Sequence, residues 1–396
     1  MAQSQKSLFE KIVPLGIPLA WLQLASESKR FAVALAGITF AVAMMLFQMG
    51  LQKALYKQVL GPLLLLDGQV MVVGSHYEYF GVGRGFANVR LHQALANPDV
   101  VEANAVKLGC ASFKNVDDGR ERDIFLIAFD PSRKVFLSED ILKQQNLLKT
   151  HGNVLFDSLS RSQYGSVGKL FERDGRVRTE IAGSKSDIVG LIKIGPTFAA
   201  DGNVLMSLAT LEEFWPHDSS GVSNVGVLKL RKGADAEKVA QSLRKMYPES
   251  VKVMTKEQFV KSEKAYWGER TPIGFVIGAS MAVAIFVGAV IVYQILYTDV
   301  SDHIPEYATL KAVGFADSFF VWIIVQESFI LSFLGFIPGA LLAELLYFMT
   351  REIAGMPTYM SVESLLIVFG LSLSMCVAAG LLATRKLRNA NPADIF

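Results

Sequence analysis

The chain contains few residues whose types and spacing could support catalysis. A nucleotide-hydrolysing site needs a glycine-rich loop that ends in Gly-Lys-Ser/Thr, because the loop amides and the lysine together hold the phosphates. The nearest sequence, YGSVGKL at 164–170, has leucine after the lysine and its first glycine at the wrong spacing. GVGRGF at 81–86 lacks the spacing and the strand-to-helix context of a dinucleotide loop. We therefore expect no catalytic residues and no ATP hydrolysis by this chain alone.

Metal ligation has no better support in the sequence. The chain has five histidines and two cysteines, and no two histidines are four residues apart. A zinc site needs several nitrogen or sulfur ligands close together, so this scatter predicts no metal site and no cofactor. Cys110 falls in a soluble segment and Cys376 in an apolar one, so we expect no disulfide between them.

One ionisable residue lies where its charge is costly. Glu327 is several residues into an apolar segment long enough to cross a membrane, so its carboxyl needs a partner or a proton. We favour a structural hydrogen bond between helices, with a role in ion or substrate passage as the alternative. From Glu327 a stripe at four-residue spacing runs through Leu331, Gly335 and Gly339 and is suited to close helix packing.

Another apolar segment repeats this arrangement of small residues. Gly274, Gly278 and Ala282 follow one another at four-residue spacing. Small side chains allow two helix backbones to approach closely. The two small-residue faces predict a tightly packed helix bundle, and we expect a homodimer.

The elements that position these residues follow from an apolar composition. Hydrophobic residues make up 51% of the 396-residue chain, and the mean hydropathy is +0.34. Ordinary soluble proteins are less apolar, so the composition favours a membrane protein in contact with lipid. A net charge of only +2 gives no basic field of the kind that a nucleic-acid partner requires.

Four segments are long enough to cross a hydrocarbon core of about 30 Å at about 1.5 Å per residue. We number them spans one to four, and they are residues 31–51, 273–297, 320–349 and 363–383. Lys29 and Arg30 directly precede span one, and a basic cluster follows span four. Positive residues favour the cytoplasmic side, so both termini are expected there, in the cell inner (plasma) membrane.

This topology divides the remaining residues between the two sides of the membrane. The cytoplasmic parts are the N-terminal segment 1–30 with its amphipathic helix, the loop 298–319 and the tail 384–396. Residues 52–270 then form one large extracytoplasmic domain, long enough to be exported whatever its charge.

The large domain shows a strand–helix–strand pattern at each end. The pattern occupies 68–108 near the start of the domain and 225–254 near its end. The middle, about 115–224, carries strand-like runs between glycine-rich turns and predicts a second, mainly β subdomain. The expected fold class is an α+β membrane protein, with four transmembrane helices and a large extracytoplasmic α+β domain inserted between spans one and two.

The loop between spans two and three carries the signals of a short helix. Asp302 offers an N-cap oxygen, Pro305 suits a first turn, and Gly314 stands where a helix would end. A capped helix over 302–313 is therefore predicted in a loop that would otherwise only connect two spans.

Three motifs, in this order, resemble the MacB/FtsX/LolC type of ABC-transporter permease. That family carries a coupling helix of the form R-E-I-G-x-L-[KR]-A-[IL]-G, and PEYATLKAVGF at 305–315 is similar, with Pro305, Tyr307 and Ala308 as departures. Glu327 begins a stripe that matches the family pattern E-x3-L-x3-G-x3-G, and the ending RNANPADIF resembles the family's Asn-Pro-Ala tail. The resemblance covers essentially the whole chain.

Within that family, LAWLQL at 19–24 and YTDVSDHIPEYATLKAVGF at 297–315 are most similar to DevC-type permeases, which implies a location in the cell inner membrane with a periplasmic domain. The resemblance implies a separate cytoplasmic ABC ATPase (DevA-like), a periplasmic membrane-fusion protein (DevB-like) and an outer-membrane channel (TolC-like). It also implies export of a glycolipid or another lipophilic substrate, driven by mechanotransmission through a non-catalytic permease subunit. The alternative is an FtsX-like signal transducer that regulates a periplasmic partner without transport.

The same resemblance assigns the loop helix as the element that docks on the ATPase. Ile304, Tyr307, Ala308 and Leu310 would supply apolar contacts, Glu306 and Lys311 would set the register by charge, and Gly314 would end the helix. The alternative is an amphipathic helix on lipid, which is disfavoured because the segment is short and net acidic, whereas anionic lipid attracts basic helices.

Overall fold

A computed structural model describes most of the chain. It describes residues 28–80, 84–197, 201–215, 221–247, 249–302, 304–305, 309 and 313–389. The chain divides into two compact units. We call Met1–Ala54 with Pro272–Phe396 the membrane unit, and Leu55–Thr271 the sheet unit.

Ten α-helices occur among the described residues. They are α1 (Ser28–Leu64), α2 (Val89–Ala94), α3 (Glu139–Gln144), α4 (Val167–Asp174), α5 (Leu208–Phe214), α6 (Ala236–Met246), α7 (Lys256–Ala265), α8 (Pro272–Asp302), α9 (Asp317–Ala354) and α10 (Val362–Asn389). A π-helical turn, Tyr266–Arg270, separates α7 from α8.

Eleven strands occur among the same residues, all in the sheet unit. They are β1 (Val70–Gly74), β2 (Phe86–Ala87), β3 (Val100–Lys114), β4 (Glu121–Phe129), β5 (Asn153–Asp157), β6 (Val177–Ile181), β7 (Ser184–Ile192), β8 (Asn203–Ser207), β9 (Val222–Ser223), β10 (Val225–Leu230) and β11 (Val251–Thr255).

The two ends of the sheet unit interleave in one four-stranded arrangement. The strand order is β11-β1-β10-β3, and each neighbouring pair is antiparallel. Each strand–helix–strand pattern seen in the sequence therefore contributes two parallel strands with one strand of the other pattern between them. This is the split βαβ arrangement of ferredoxin-like folds.

Alternation along β1 explains how this sheet is covered. Val70 and Val72 pack with residues of α2 and α6 in one apolar cluster. Met71 and Val73 point to the opposite face and join a second cluster with Phe259 of α7. Successive strand residues face opposite sides of a sheet, so both faces of β1 are buried.

The middle of the sheet unit forms a closed barrel. From β3 the strand order continues through β4, β8, β5, β7 and β6, and β6 pairs back onto β3 where Phe113 lies opposite Ile181. The barrel interior is an apolar cluster that includes Phe113, Phe156 and Tyr164. The sequence predicted a separate β subdomain, but the long strand β3 belongs to both parts, so a single nine-stranded sheet runs through the unit.

The membrane unit contains four helices long and apolar enough to cross a membrane. Among the described residues these are Lys29–Leu64, Pro272–Asp302, Val321–Ile353 and Val362–Ala383. The expected fold class of four spans with an inserted α+β domain is confirmed. The first helix continues to Leu64, 13 residues beyond the predicted end of span one at residue 51.

Glycines bring α1 against α9. A Cβ placed on Gly335 would lie 2.5 Å from Ile38 Cγ2, and one on Gly339 would lie 2.7 Å from Val42 Cγ1. Both distances are far shorter than a carbon–carbon contact of about 3.5–4.0 Å. Leu331, on the same stripe, is fully buried.

The small residues predicted to pack span two are not the ones that make its close contacts within this chain. Gly274 is buried, but Gly278 and Ala282 are exposed, and a Cβ on Gly278 would meet nothing within 4 Å. Instead Gly288 meets its neighbours closely, since a Cβ there would lie 2.7 Å from Ala41 Cβ. The rotation of α8 about its axis, which spacing does not reveal, decides which small residues are buried.

We predict that Gly335→Leu and Gly339→Leu each destabilise the membrane unit, because the added side chain has no space beside Ile38 or Val42. Overpacking of this kind costs about 1–3 kcal/mol. Thermal unfolding of the purified protein in detergent would show a lowered midpoint. Gly370→Leu is the matched control, since a Cβ at Gly370 meets nothing within 4 Å. Equal midpoints for all three variants would contradict this account of the packing.

Candidate functional site

The segment between α8 and α9 has helical backbone at four of its described residues. Ile304, Pro305, Thr309 and Val313 have helical backbone. The Thr309 hydroxyl donates a hydrogen bond to the Pro305 carbonyl at 2.9 Å, the i to i−4 pattern of a helix. Gly314 has a φ of +107°, and glycine readily adopts a positive φ at the point where a helix ends.

Most of the predicted coupling residues lie outside the described part of the chain. These are Glu306, Tyr307, Ala308, Leu310 and Lys311, and their roles stay predictions. Ile304 is half-buried and Gly314 is exposed. Val313, which was not among the predicted contact residues, is 68% exposed and adds an apolar side chain to the same segment.

An ion pair joins this segment to span one. Arg30, at the start of α1, donates a hydrogen bond from its guanidinium to the carboxylate of Asp302, the last residue of α8. Each side chain is 46% exposed. The sequence showed Arg30 only as a topology signal and Asp302 only as a helix cap, because 271 residues separate the pair along the chain.

A second ion pair anchors the other end of the first span. Lys53 Nζ lies 2.7 Å from the Glu363 carboxylate and 2.8 Å from the Ser361 hydroxyl, at the start of α10. From Arg30 to Lys53 the helix rises about 34 Å at about 1.5 Å per residue. A hydrocarbon core is about 30 Å thick, so the two ion pairs lie one membrane thickness apart on α1.

Hydroxyl groups join α9 to α10 inside the membrane unit. Ser328 Oγ donates to the Cys376 carbonyl at 3.2 Å, and Ser332 and Ser372 share a hydrogen bond of 3.0 Å. Glu327 is fully buried beside them. Among the described residues no group of three or more histidine, cysteine, aspartate or glutamate side chains could hold a metal ion.

This geometry links the loop segment to several of the long helices. The loop segment is attached covalently to α8 and α9 and, through Asp302, by an ion pair to α1. Close glycine contacts then hold α1 against α9. Three of the four spans therefore connect to the loop segment. The chain connects α8 and α9 to it, and the ion pair with Asp302 connects α1.

Comparison with known proteins supports a permease. Residues 278–392 match the family model described as FtsX-like permease C-terminal. An uncharacterized ABC transporter permease from Methanocaldococcus jannaschii is 26% identical over 208 residues, which are 51% of each protein. The match thus spans about half the length of this curated relative.

Solved structures of two transporter domains are also similar to this chain. The periplasmic region of MacB from Actinobacillus actinomycetemcomitans has a TM-score of 0.34 and 10% identity, and the similarity covers 50% of this chain and 93% of that one. The extracellular domain of the noncanonic ABC-type transporter YknZ from Gram-positive bacteria has a TM-score of 0.31 and 12% identity, covering 47% and 98%.

The matched residues begin within α8 and end beyond α10, so they include the loop segment and the last three spans. The motifs seen in the sequence, Glu327 with its glycine stripe among them, lie in this region. Residues 278–392 thus resemble the C-terminal part of FtsX-like permeases, and about half of the chain is similar to an ABC transporter permease.

Proposed function

We propose that this chain is the membrane subunit of an ATP-driven export system and transmits movement from a separate cytoplasmic ATPase to its extracytoplasmic domain. The observation that carries the proposal is the Arg30–Asp302 ion pair. It joins the start of span one to Asp302, where α8 ends and the predicted loop helix begins. A force on that helix therefore acts on α1 and α8 together, and the chain continues from both helices into the sheet unit.

The proposed system has several parts. The resemblance to DevC-type permeases supports a DevA-like ATPase, a DevB-like membrane-fusion protein and a TolC-like outer-membrane channel, with two copies of this chain in the inner membrane. A glycolipid or another lipophilic molecule is the proposed cargo. The small residues Gly278 and Ala282, exposed within one chain, support contact with a second copy.

The coupling role predicts the effect of two substitutions in the loop helix. Leu310→Asp would bury an unpaired carboxylate on docking, which costs several kcal/mol. Glu306→Lys would repel the basic group that Glu306 is proposed to meet. Both variants should lose the ATPase in a pull-down and lose export at equal membrane expression, and ATP hydrolysis should need the partner. Normal binding and export by both variants would instead favour a lipid-surface role for this helix.

The ion pair gives a sharper test through exchange of its charges. Arg30→Glu and Asp302→Arg should each reduce export severalfold while the ATPase stays bound, because neither residue is proposed to touch the ATPase. The double exchange restores an ion pair and should recover most of the activity. Lys29→Glu is the neighbouring control. Full export by both single variants would show that the pair does not transmit movement, and export without a bound ATPase would refute the coupling role itself.

The proposed orientation can be tested by cysteine labelling. In a protein with Cys110 and Cys376 replaced by serine, a cysteine at Thr150→Cys should react only with reagent added outside. A cysteine at Glu306→Cys should react only after the inside is exposed. The reason is that basic residues flanking the first and last spans favour the cytoplasmic side. Reversed accessibility of the two positions would refute this topology.

A further inference from the structure

A cavity of about 440 Å³ opens on the sheet unit beside the π-helical turn. It lies between the loop that follows β1, the strand β11 and the turn itself. Ser75 and His76 come from the loop, Lys252 from β11 and Arg270 from the end of the turn. Three separate elements therefore direct polar side chains toward one space.

The charge of this cavity favours an anion. Lys252 and Arg270 are exposed, and neither makes an ion pair with any other residue that the structure describes. Glu78 is the one acidic residue of the lining, so the formal charge is two positive minus one negative, or +1, with His76 neutral. Free ammonium and guanidinium groups form strong charge-assisted hydrogen bonds to phosphate oxygens.

The wall of the cavity is held in place by buried contacts. The Tyr77 hydroxyl donates a hydrogen bond to the carboxylate of Glu263, which is fully buried. Burial raises the pKa of Tyr77 well above its usual value, so the hydroxyl keeps its proton. Tyr266 stacks on Tyr79 with 4.9 Å between ring centroids. The two lining tyrosines, Tyr77 and Tyr266, thus have fixed positions.

One lining residue of the cavity closely precedes a membrane-spanning helix in the chain. Arg270 is two residues before Pro272, the first residue of the second membrane-spanning helix. In the sheet unit a Cβ on Gly268 would lie 2.5 Å from the Tyr56 hydroxyl, and Lys264 Nζ lies 5.9 Å from the centroid of the Tyr56 ring. Tyrosine, tryptophan and basic residues are enriched at the level of lipid headgroups, so this region is expected to meet them.

We propose that this cavity binds the phosphate of an anionic phospholipid headgroup. Lys252 and Arg270 contact the phosphate oxygens, and Ser75 and His76 complete the polar lining. A formal charge of +1 matches the single negative charge of a phosphodiester better than the nearly double charge of free phosphate. The site concerns neither the cargo nor the ATPase, so it is independent of the export role.

Lipid binding to the full-length protein in detergent tests this site. The probe is phosphatidylglycerol, the headgroup-free comparison is diacylglycerol with the same chains, and native mass spectrometry counts the bound molecules. Wild-type protein should retain phosphatidylglycerol in preference to diacylglycerol. The double variant Lys252→Glu, Arg270→Glu should weaken retention by roughly tenfold or more, as expected for the loss of charge-assisted contacts.

A matched control separates the site from general charge effects. Lys232 is exposed and does not line the cavity, so Lys232→Glu should retain the lipid as wild type does. Equal retention by the double variant, or equal loss in Lys232→Glu, would overturn the proposal. The last measurement uses inorganic phosphate as a competitor of the lipid. If it binds the wild-type site and excludes the lipid at equal concentration, the site serves free phosphate and the lipid assignment is wrong.

Discussion

The close packing of α1 against its neighbours is the constraint on which the membrane unit depends. Gly335 and Gly339 of α9 and Gly288 of α8 leave room for Ile38, Val42 and Ala41 of α1. In lipid there is little hydrophobic force between helices, so such van der Waals contact supplies much of their attraction. Because these contacts are tight, α1 cannot slide freely along α9, and displacement of one helix must involve the other.

An ion pair at each end of the first span also joins α1 to a neighbouring helix. Arg30 bonds to α8 at one end, and Lys53 bonds to the start of α10 at the other. Exposed ion pairs contribute little to stability, about 0–1 kcal/mol. Their value here is positional, since each fixes one end of α1 to a different helix. This positioning is what the proposed transmission of movement from the loop segment requires.

The sheet unit depends on one strand in a comparable way. β3 pairs with β10 in the ferredoxin-like part and with β4 and β6 in the barrel. Its 15 residues are long enough to serve both. Because a continuous strand resists bending, the barrel and the ferredoxin-like part are joined by more than a flexible linker. The aromatic contacts of Tyr79 with Tyr266 and Trp267 also belong to this unit, and Tyr266 and Trp267 lie shortly before α8 in the chain.

By itself the sequence determined the class of the protein. The long apolar segments required four membrane helices, since only a helix satisfies its own backbone hydrogen bonds in lipid. Alternating patterns predicted the strands at both ends of the inserted domain, and the stripe from Glu327 predicted a face of α9 suited to close helix packing. These features are local or periodic, so they can be read from neighbouring residues.

Tertiary structure alone decided how distant residues meet. The rotation of α8 buried Gly288 and left Gly278 exposed, although only Gly278 belongs to the predicted small-residue face. Pairing of β6 with β3 closed the barrel, and Arg30 met Asp302 across 271 intervening residues. The cavity between Lys252 and Arg270 likewise exists only because a strand edge and a π-helical turn come together. None of these contacts has a periodic signature, because each depends on the relative placement of whole elements rather than on the order of residues within one.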